Sequence, residues 1–194
     1  MTPRKERADA LRNREAVLTA ADELFSRSDS PRGVSMDDIA AAAGVGKGTL
    51  FRRFGDRSGL IRALFAARVE PLRHAVEAGP APLGPSTPPR ERVPALLVAI
   101  LRFKTDHRHL ALALEEDGGN SPYLGDHYTW WHTVLKDTLN RLPDATDDDS
   151  DFTAHALLAA TRADLVEYLI GRQGTSPERI AARLTAFATK VLGP

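Results

Sequence analysis

Cysteine is absent from the 194 residues of this chain. Its absence excludes a disulfide framework, a thiolate metal site and a thiol nucleophile. Aromatic residues are scarce, at 6%. Long hydrophobic runs are missing as well: no stretch approaches the ~20 apolar residues of a membrane span. The opening MTPRKERADALRNRE is basic and has no apolar core of the signal-peptide kind. A cytoplasmic protein without a membrane partner is expected. No nucleophile motif, phosphate-binding loop or diagnostic carboxylate pair accompanies the Asp and His residues, so neither catalysis nor a cofactor is expected. No strand of useful length and no internal repeat can be read.

What is present is unevenly distributed. The net charge is zero, yet residues 1–68 sum to +4 and residues 69–194 to −4. A positive leading segment suits a phosphate-facing module, because counterion release supplies much of the affinity for a duplex.

The most informative stretch is Gly33 to Leu60, GVSMDDIAAAAGVGKGTLFRRFGDRSGL. It reads as two short helices around a glycine-containing turn, with basic residues gathered on the second. A helix-turn-helix places a recognition helix in the DNA major groove in this way. Ser35 is positioned to cap the first helix. Asp38, three residues on, completes an imperfect capping box in which Glu or Gln is the usual partner. Val34 and Ile39 stand at hydrophobic-staple spacing. Gly44 suits the left-handed position that ends this helix, and Gly46 precedes the second run, Lys47 to Phe54. Residues 37–43 include four consecutive alanines, small enough for two helices to approach closely.

This stretch resembles the DNA-binding core of the TetR family of bacterial regulators. The family pattern has an apolar first helix, here Arg14 to Arg27 with Val17, Leu18, Ala21, Leu24 and Phe25 on one face. A Ser- or Thr-initiated second helix, a Gly-Val-Ser-Lys-Gly-Thr-Leu-Tyr type recognition helix and a Phe-x-x-Lys-x-x-Leu exit follow. The exit is matched by Phe54, Arg57 and Leu60. Two positions depart from the pattern. Gly46 replaces a frequent Ser cap, weakening it by a few tenths of a kcal/mol. Phe51 replaces Tyr, losing a hydroxyl for phosphate while keeping a ring that can pack.

The resemblance implies an all-α protein. Residues 1–60 would form a three-helix DNA-binding domain with a basic arm over 1–13, and residues 61–194 a helical effector-binding and dimerisation domain. It also implies roles. Lys47, Gly48 and Thr49 would reach base edges from the first turn of the recognition helix. Arg53 and Arg57 would hold phosphates, Arg52 a phosphate or a guanine, and Ser35 a phosphate at the helix start. The arm, with Arg4, Lys5, Arg7, Arg12 and Arg14, reads equally as a minor-groove or phosphate contact and as a solubility tail.

Beyond Leu60, helices are expected over Ser58–Ala78, from Pro89 or Glu91 to Thr105, from an Asp106 cap to Gly118, and over Gly125–Leu142. Two more are expected over Phe152–Gly171 and from Ser176 onward. Pro94 either begins or kinks the second of these. The proline-rich Gly79–Pro89 reads as a loop with the composition of a mobile one, and Pro143–Asp151 as an acidic loop feeding the next helix. Helix Phe152–Gly171, apolar on all sides, should be buried on several faces. With the stripe Ile180, Leu184, Phe187 and Val191, its Leu158, Leu165 and Leu169 are candidates for a two-fold dimer interface. In proteins resembling this one such helices pair between symmetry mates, and two half-sites one turn apart need two recognition helices.

The resemblance further implies a small organic effector held by the middle helices. Phe103, His107, Tyr123, His127, Trp130, Trp131 and Tyr168 are the candidates, with His109, Tyr128, His132 and His155 in the same region. Core packing is the competing reading for each. Trp130 and Trp131 point about 100° apart on a helix, so at most one should line a cavity centre. His107 and His109 lack a metal-ligand spacing strong enough to read a metal site, even with Asp106, His127 or His155. The sequence therefore reads as a homodimeric, ligand-responsive regulator that represses from a palindromic operator. The alternative is a helical interaction or chromosome-organising protein with little sequence preference and no effector.

Overall fold

A computed structural model describes residues 3–27, 33–116, 123, 125–143 and 145–193, the side chains of 3–10 and 115–116 excepted. Among the described residues every regular element is helical: α1 (Pro3–Arg27), α2 (Met36–Ala42), α3 (Lys47–Phe54), α4 (Arg57–Ala78) and α5 (Pro89–Asp106). They are followed by α6 (Arg108–Glu116), α7 (Asp126–Leu139), α8 (Asp147–Ala159), α9 (Ala163–Glu167) with a π-helical continuation Tyr168–Arg172, and α10 (Pro177–Leu192). No described helix is long and apolar enough to cross a membrane.

The chain divides into two compact units, Met1–Arg68 with His109–Asp117, and Val69–Arg108 with Gly118–Pro194. In the first, Val17, Leu18, Ala21 and Phe25 of α1 are buried, as are Ile39, Leu50, Leu60, Ile61 and Leu64. Leu110 and Ala111 of α6 complete this core. The return of α6 to the first unit has no signal in the sequence, where Leu110 and Ala111 look like any other apolar pair. The second unit centres on Val93, Leu96, Leu97, Ile100 and Leu101 of α5, which pack with Trp131 and Leu135 of α7, Leu157 of α8 and Leu184 of α10.

Several boundaries differ from the sequence reading. The first helix begins at Pro3 rather than Arg14, because proline is favoured in a first turn and residues 4–13 are mostly strong helix formers. The side chains of Arg4, Lys5 and Arg7, and the expected end at Gly118, lie outside the described residues. Helix α5 starts at Pro89 and carries Pro94 inside it, buried. Asp106 is its last residue and not a cap.

The expected helix Phe152–Gly171 is instead two. The acidic run Asp147–Asp149 is the first turn of α8, capped by Thr146, whose Oγ1 accepts from the Asp149 amide at 3.2 Å. Acidic residues belong there, because they oppose the positive end of the helix dipole. The helix then breaks at Thr161, whose buried hydroxyl donates to the Leu158 carbonyl at 2.9 Å. Such a local bond offers the backbone an alternative to the helical ladder. Arg162 turns extended at ψ 139 and starts α9. Leu165 and Tyr168 are exposed rather than buried within the protomer.

The proline-rich loop is pinned, not loose. Buried Arg92 donates to the carbonyls of Leu83 and Val76, both at 2.9 Å, and to Thr138 Oγ1 at 3.0 Å. Arg141 donates to the carbonyls of Pro85 at 2.8 Å and Thr87 at 3.1 Å. A Cβ on buried Gly84 would meet the Gly79 carbonyl oxygen at 1.8 Å, so the loop closes on itself only through glycine.

Candidate nucleic-acid interface

Helix α2 begins with the reciprocal capping box that the sequence suggests. Ser35 Oγ accepts from the Asp38 amide at 3.2 Å, and Asp38 Oδ2 accepts from the Ser35 amide at 3.0 Å. The Ser35 hydroxyl also donates to that carboxylate at 2.6 Å. These bonds hold the Asp38 carboxyl below the usual carboxylate range, the side-chain bond from Ser35 acting first and its backbone bond second. Val34 and Ile39 are both buried, as a staple requires. The helix ends with Gly44 at φ +64. The Val45 amide reaches back to the Ala40 carbonyl at 3.0 Å and the Gly44 amide to Ala41 at 3.2 Å.

Helix α3 starts at Gly46, which offers no side-chain cap. Leu50, fully buried, anchors it to the core. The opposite face carries Lys47, Gly48, Phe51, Arg52 and Arg53, all exposed, with Thr49 half-buried at its edge. Nothing lies within 4 Å of a Cβ built on Gly48, so this part of the surface stays open to a close approach. Lys47 donates to the carboxylate of Asp37 on α2. An exposed pair of this kind is worth about 0–1 kcal/mol, so a phosphate or base can take the ammonium at little cost.

Arg57 stands apart. It is half-buried, its Nε donates to the Val34 carbonyl at 3.3 Å and its guanidinium lies 5.3 Å from the centre of the Phe25 ring. It thus ties the start of α4 to α1 and to the segment leading into α2. Two residues that the sequence reading does not single out also set this corner. Asp56 Oδ1 accepts from the Gly59 amide at 2.7 Å, capping α4. A Cβ on Gly59 would meet the Phe54 carbonyl oxygen at 2.0 Å. The Asp three residues before Gly59 is the available signal.

The second unit scatters its aromatic candidates. Phe103 is buried and 4.8 Å from the His107 ring. His127 meets buried Trp131 edge-on at 6.4 Å. Burial, then the nearby cations Lys104 and Arg73, push the His127 imidazole down to about 3. Trp130 Nε1 donates to Glu77 at 2.8 Å beneath the Arg73 guanidinium. Tyr123 and Tyr168 are exposed. A surface recess of about 160 Å³ is lined by Ala160, Leu169, Thr175, Ile180, Arg183, Leu184 and Phe187, none of them among the effector candidates.

The interface candidates divide by face. Leu158, Ile180 and Leu184 are buried in the core of the second unit, Leu169 is half-buried, and Leu165, Phe187 and Val191 are exposed.

Residues 17–64 match the family model described as bacterial regulatory proteins, tetR family. This quarter of the chain carries a segment of the tetR-family kind. A curated relative, an HTH-type transcriptional regulator of Staphylococcus aureus, is 34% identical over 74 residues. That match spans 38% of this chain and 39% of the relative, so the chain spans about two fifths of that relative's length. Among solved structures, a TetR transcriptional regulator from Rhodococcus sp. superposes with a TM-score of 0.67 at 20% identity, covering 97% of each chain. NalD of Pseudomonas aeruginosa, the secondary repressor of the MexAB-OprM multidrug efflux pump, gives 0.60 at 20% identity, with 95% of this chain and 97% of NalD covered. At such identities the likeness carries the TetR fold alone.

Proposed function

We propose that this protein is a sequence-specific DNA-binding transcriptional regulator, acting in the cytoplasm as a homodimeric repressor on a palindromic operator. The observation that carries the proposal is α3. Its Lys47, Gly48, Thr49, Arg52 and Arg53 share an exposed edge while Leu50 and the α2 capping box hold the helix from behind. Lys47 and Thr49 meet base edges and Arg52 and Arg53 the phosphates, with Ser35 and the start of α2 beside them. Phe51 packs its exposed ring against the sugar-phosphate edge. Arg57 shapes the domain and reaches a phosphate only with what its bond to Val34 leaves.

Exposed Leu165, Phe187 and Val191 support dimerisation, since apolar side chains of this size gathered at the end of the chain favour covering by a second copy. A curated relative that is 40% identical over 74 residues, the transcriptional repressor LfrR of Mycolicibacterium smegmatis, supports the sign of control. Release by a small organic ligand in the second unit, near Phe103, His107, His127 and Trp131, completes the proposal. Such a ligand acts by binding the DNA-free state more tightly.

The test is the salt dependence of duplex binding. Each neutralised phosphate contributes about 0.9 to the slope of log affinity against log salt. Replacing Arg52 and Arg53 together with Ala is expected to lower the slope by about 0.9 for each phosphate left without its arginine. An unchanged slope would remove both from the interface.

A further inference from the structure

The strongest unexplained cluster lies where α7 meets α8. His132, Asp151 and His155 each offer one ligand atom, and these atoms all lie within 4.8 Å of one another. His132 Nε2 is 3.6 Å from Asp151 Oδ1, and His155 Nε2 is 3.8 Å from Asp151 Oδ2. His132 Nε2 also lies 3.2 Å from the Asp151 carbonyl oxygen, a hydrogen bond that an ion would displace together with its proton. Ligand atoms on a tetrahedral zinc ion stand about 3.3 Å apart, so side-chain adjustments of up to about 1.5 Å bring the three atoms onto one ion. The two imidazoles are stacked, with ring centres 4.0 Å apart.

The surroundings suit an ion as well. Tyr128 Oη lies 2.6 Å from His155 Nδ1. When Nδ1 donates to the phenol oxygen, Nε2 is left to ligate, the arrangement found behind metal-bound histidines. Lys136 Nζ sits 3.1 Å from Asp151 Oδ1 and 2.9 Å from Asp147 Oδ2. An arriving cation can therefore displace the ammonium from Asp151 while Asp147 retains it. The side chains of Asp151 and His155 are nearly half exposed, which gives the ion a path in.

The geometry points to a binding site for a divalent transition-metal ion of the zinc class, with Nε2 of His132, Nε2 of His155 and an Asp151 carboxylate oxygen as ligands and water completing the shell. Two imidazoles and one carboxylate are the donors that zinc accepts. The site is independent of the DNA-binding proposal. Its ligands come from two helices: Asp151 and His155 stand four apart on α8, and His132 lies 19 positions before Asp151, so the sequence alone does not bring the third ligand to the pair.

The test uses the full chain without an affinity tag, stripped with chelator and titrated with Zn²⁺ by calorimetry, with Co²⁺ absorption reporting geometry. One equivalent is expected to bind with at least micromolar affinity, and Co²⁺ to show the intense visible bands of a tetrahedral site. His155→Ala is expected to weaken Zn²⁺ binding by about 100-fold or more, and Tyr128→Phe by about 10-fold. His155 is exposed, so its variant should keep the parent's helical circular dichroism, and His132→Gln provides a second ligand variant should it not. Failure of the parent to bind at micromolar Zn²⁺, or a loss of binding that follows His107→Ala and His109→Ala instead, would overturn the assignment.

Discussion

A guanidinium held 5.3 Å from the Phe25 ring and bonded through Nε to a backbone carbonyl has less freedom to follow a phosphate than the exposed ones of Arg52 and Arg53. Sequence alone treats Arg52, Arg53 and Arg57 as one basic set, because it shows charge and spacing but not which cation is enclosed. Lys47 shows the converse, since its partner Asp37 is exposed and easily exchanged. His127 adds a residue-scale prediction. Its imidazole is depressed to about 3 by burial and by Lys104 and Arg73, whereas in the unfolded chain it titrates near 6.5. Below 6.5 the unfolded state takes a proton that the folded state refuses, so stability is full above that pH and falls as the pH drops toward about 3. From pH 7.5 to pH 5 the parent is expected to lose roughly 2 kcal/mol more than His127→Gln in urea unfolding. Parallel pH profiles would show that His127 is not enclosed.

At the scale of elements, local chemistry is legible wherever a short motif closes on itself. The Ser35–Asp38 box, the Gly44 turn, and Ser176 with Pro177 at the start of α10 are all readable, and Ser176 Oγ accepts from the Arg179 amide at 3.3 Å. Continuity is harder to read. The apolar composition of residues 152–171 hides the break at Thr161, because hydrophobicity reports burial and not the hydroxyl that competes for a backbone carbonyl. The acidic run passes for a loop when its charge is weighed before its cap at Thr146. The stripe on α10 has the spacing of one face, yet Ile180 and Leu184 turn into the core while Phe187 and Val191 turn out. Ser35→Ala removes one half of the α2 box and is expected to cost about 1 kcal/mol of stability. It should also weaken the proposed DNA binding, since α2 backs α3. Equal thermal midpoints and equal affinities would contradict the role given to the cap.

Across the whole molecule, the all-α class and the location of α3, the helix proposed to face DNA, follow from some thirty residues, because capping, turn and exit signals fall close together there. The second unit carries few such signals. Its aromatics occupy separate places, from buried Phe103 and Trp131 to exposed Tyr123 and Tyr168, and the His132, Asp151 and His155 cluster is assembled only by packing α7 on α8. A helical fold built from remote contacts cannot be read from local spacing. The central claim is that α3 reads sequence and that two copies of the chain read it together. Selection of bound duplexes from a random library at near-physiological salt tests it most directly. A palindromic winner is expected, with half-sites about one turn apart, bound about 10³-fold or more above random DNA and no longer bound on Lys47→Ala. Weak, salt-sensitive binding that enriches no sequence would contradict it.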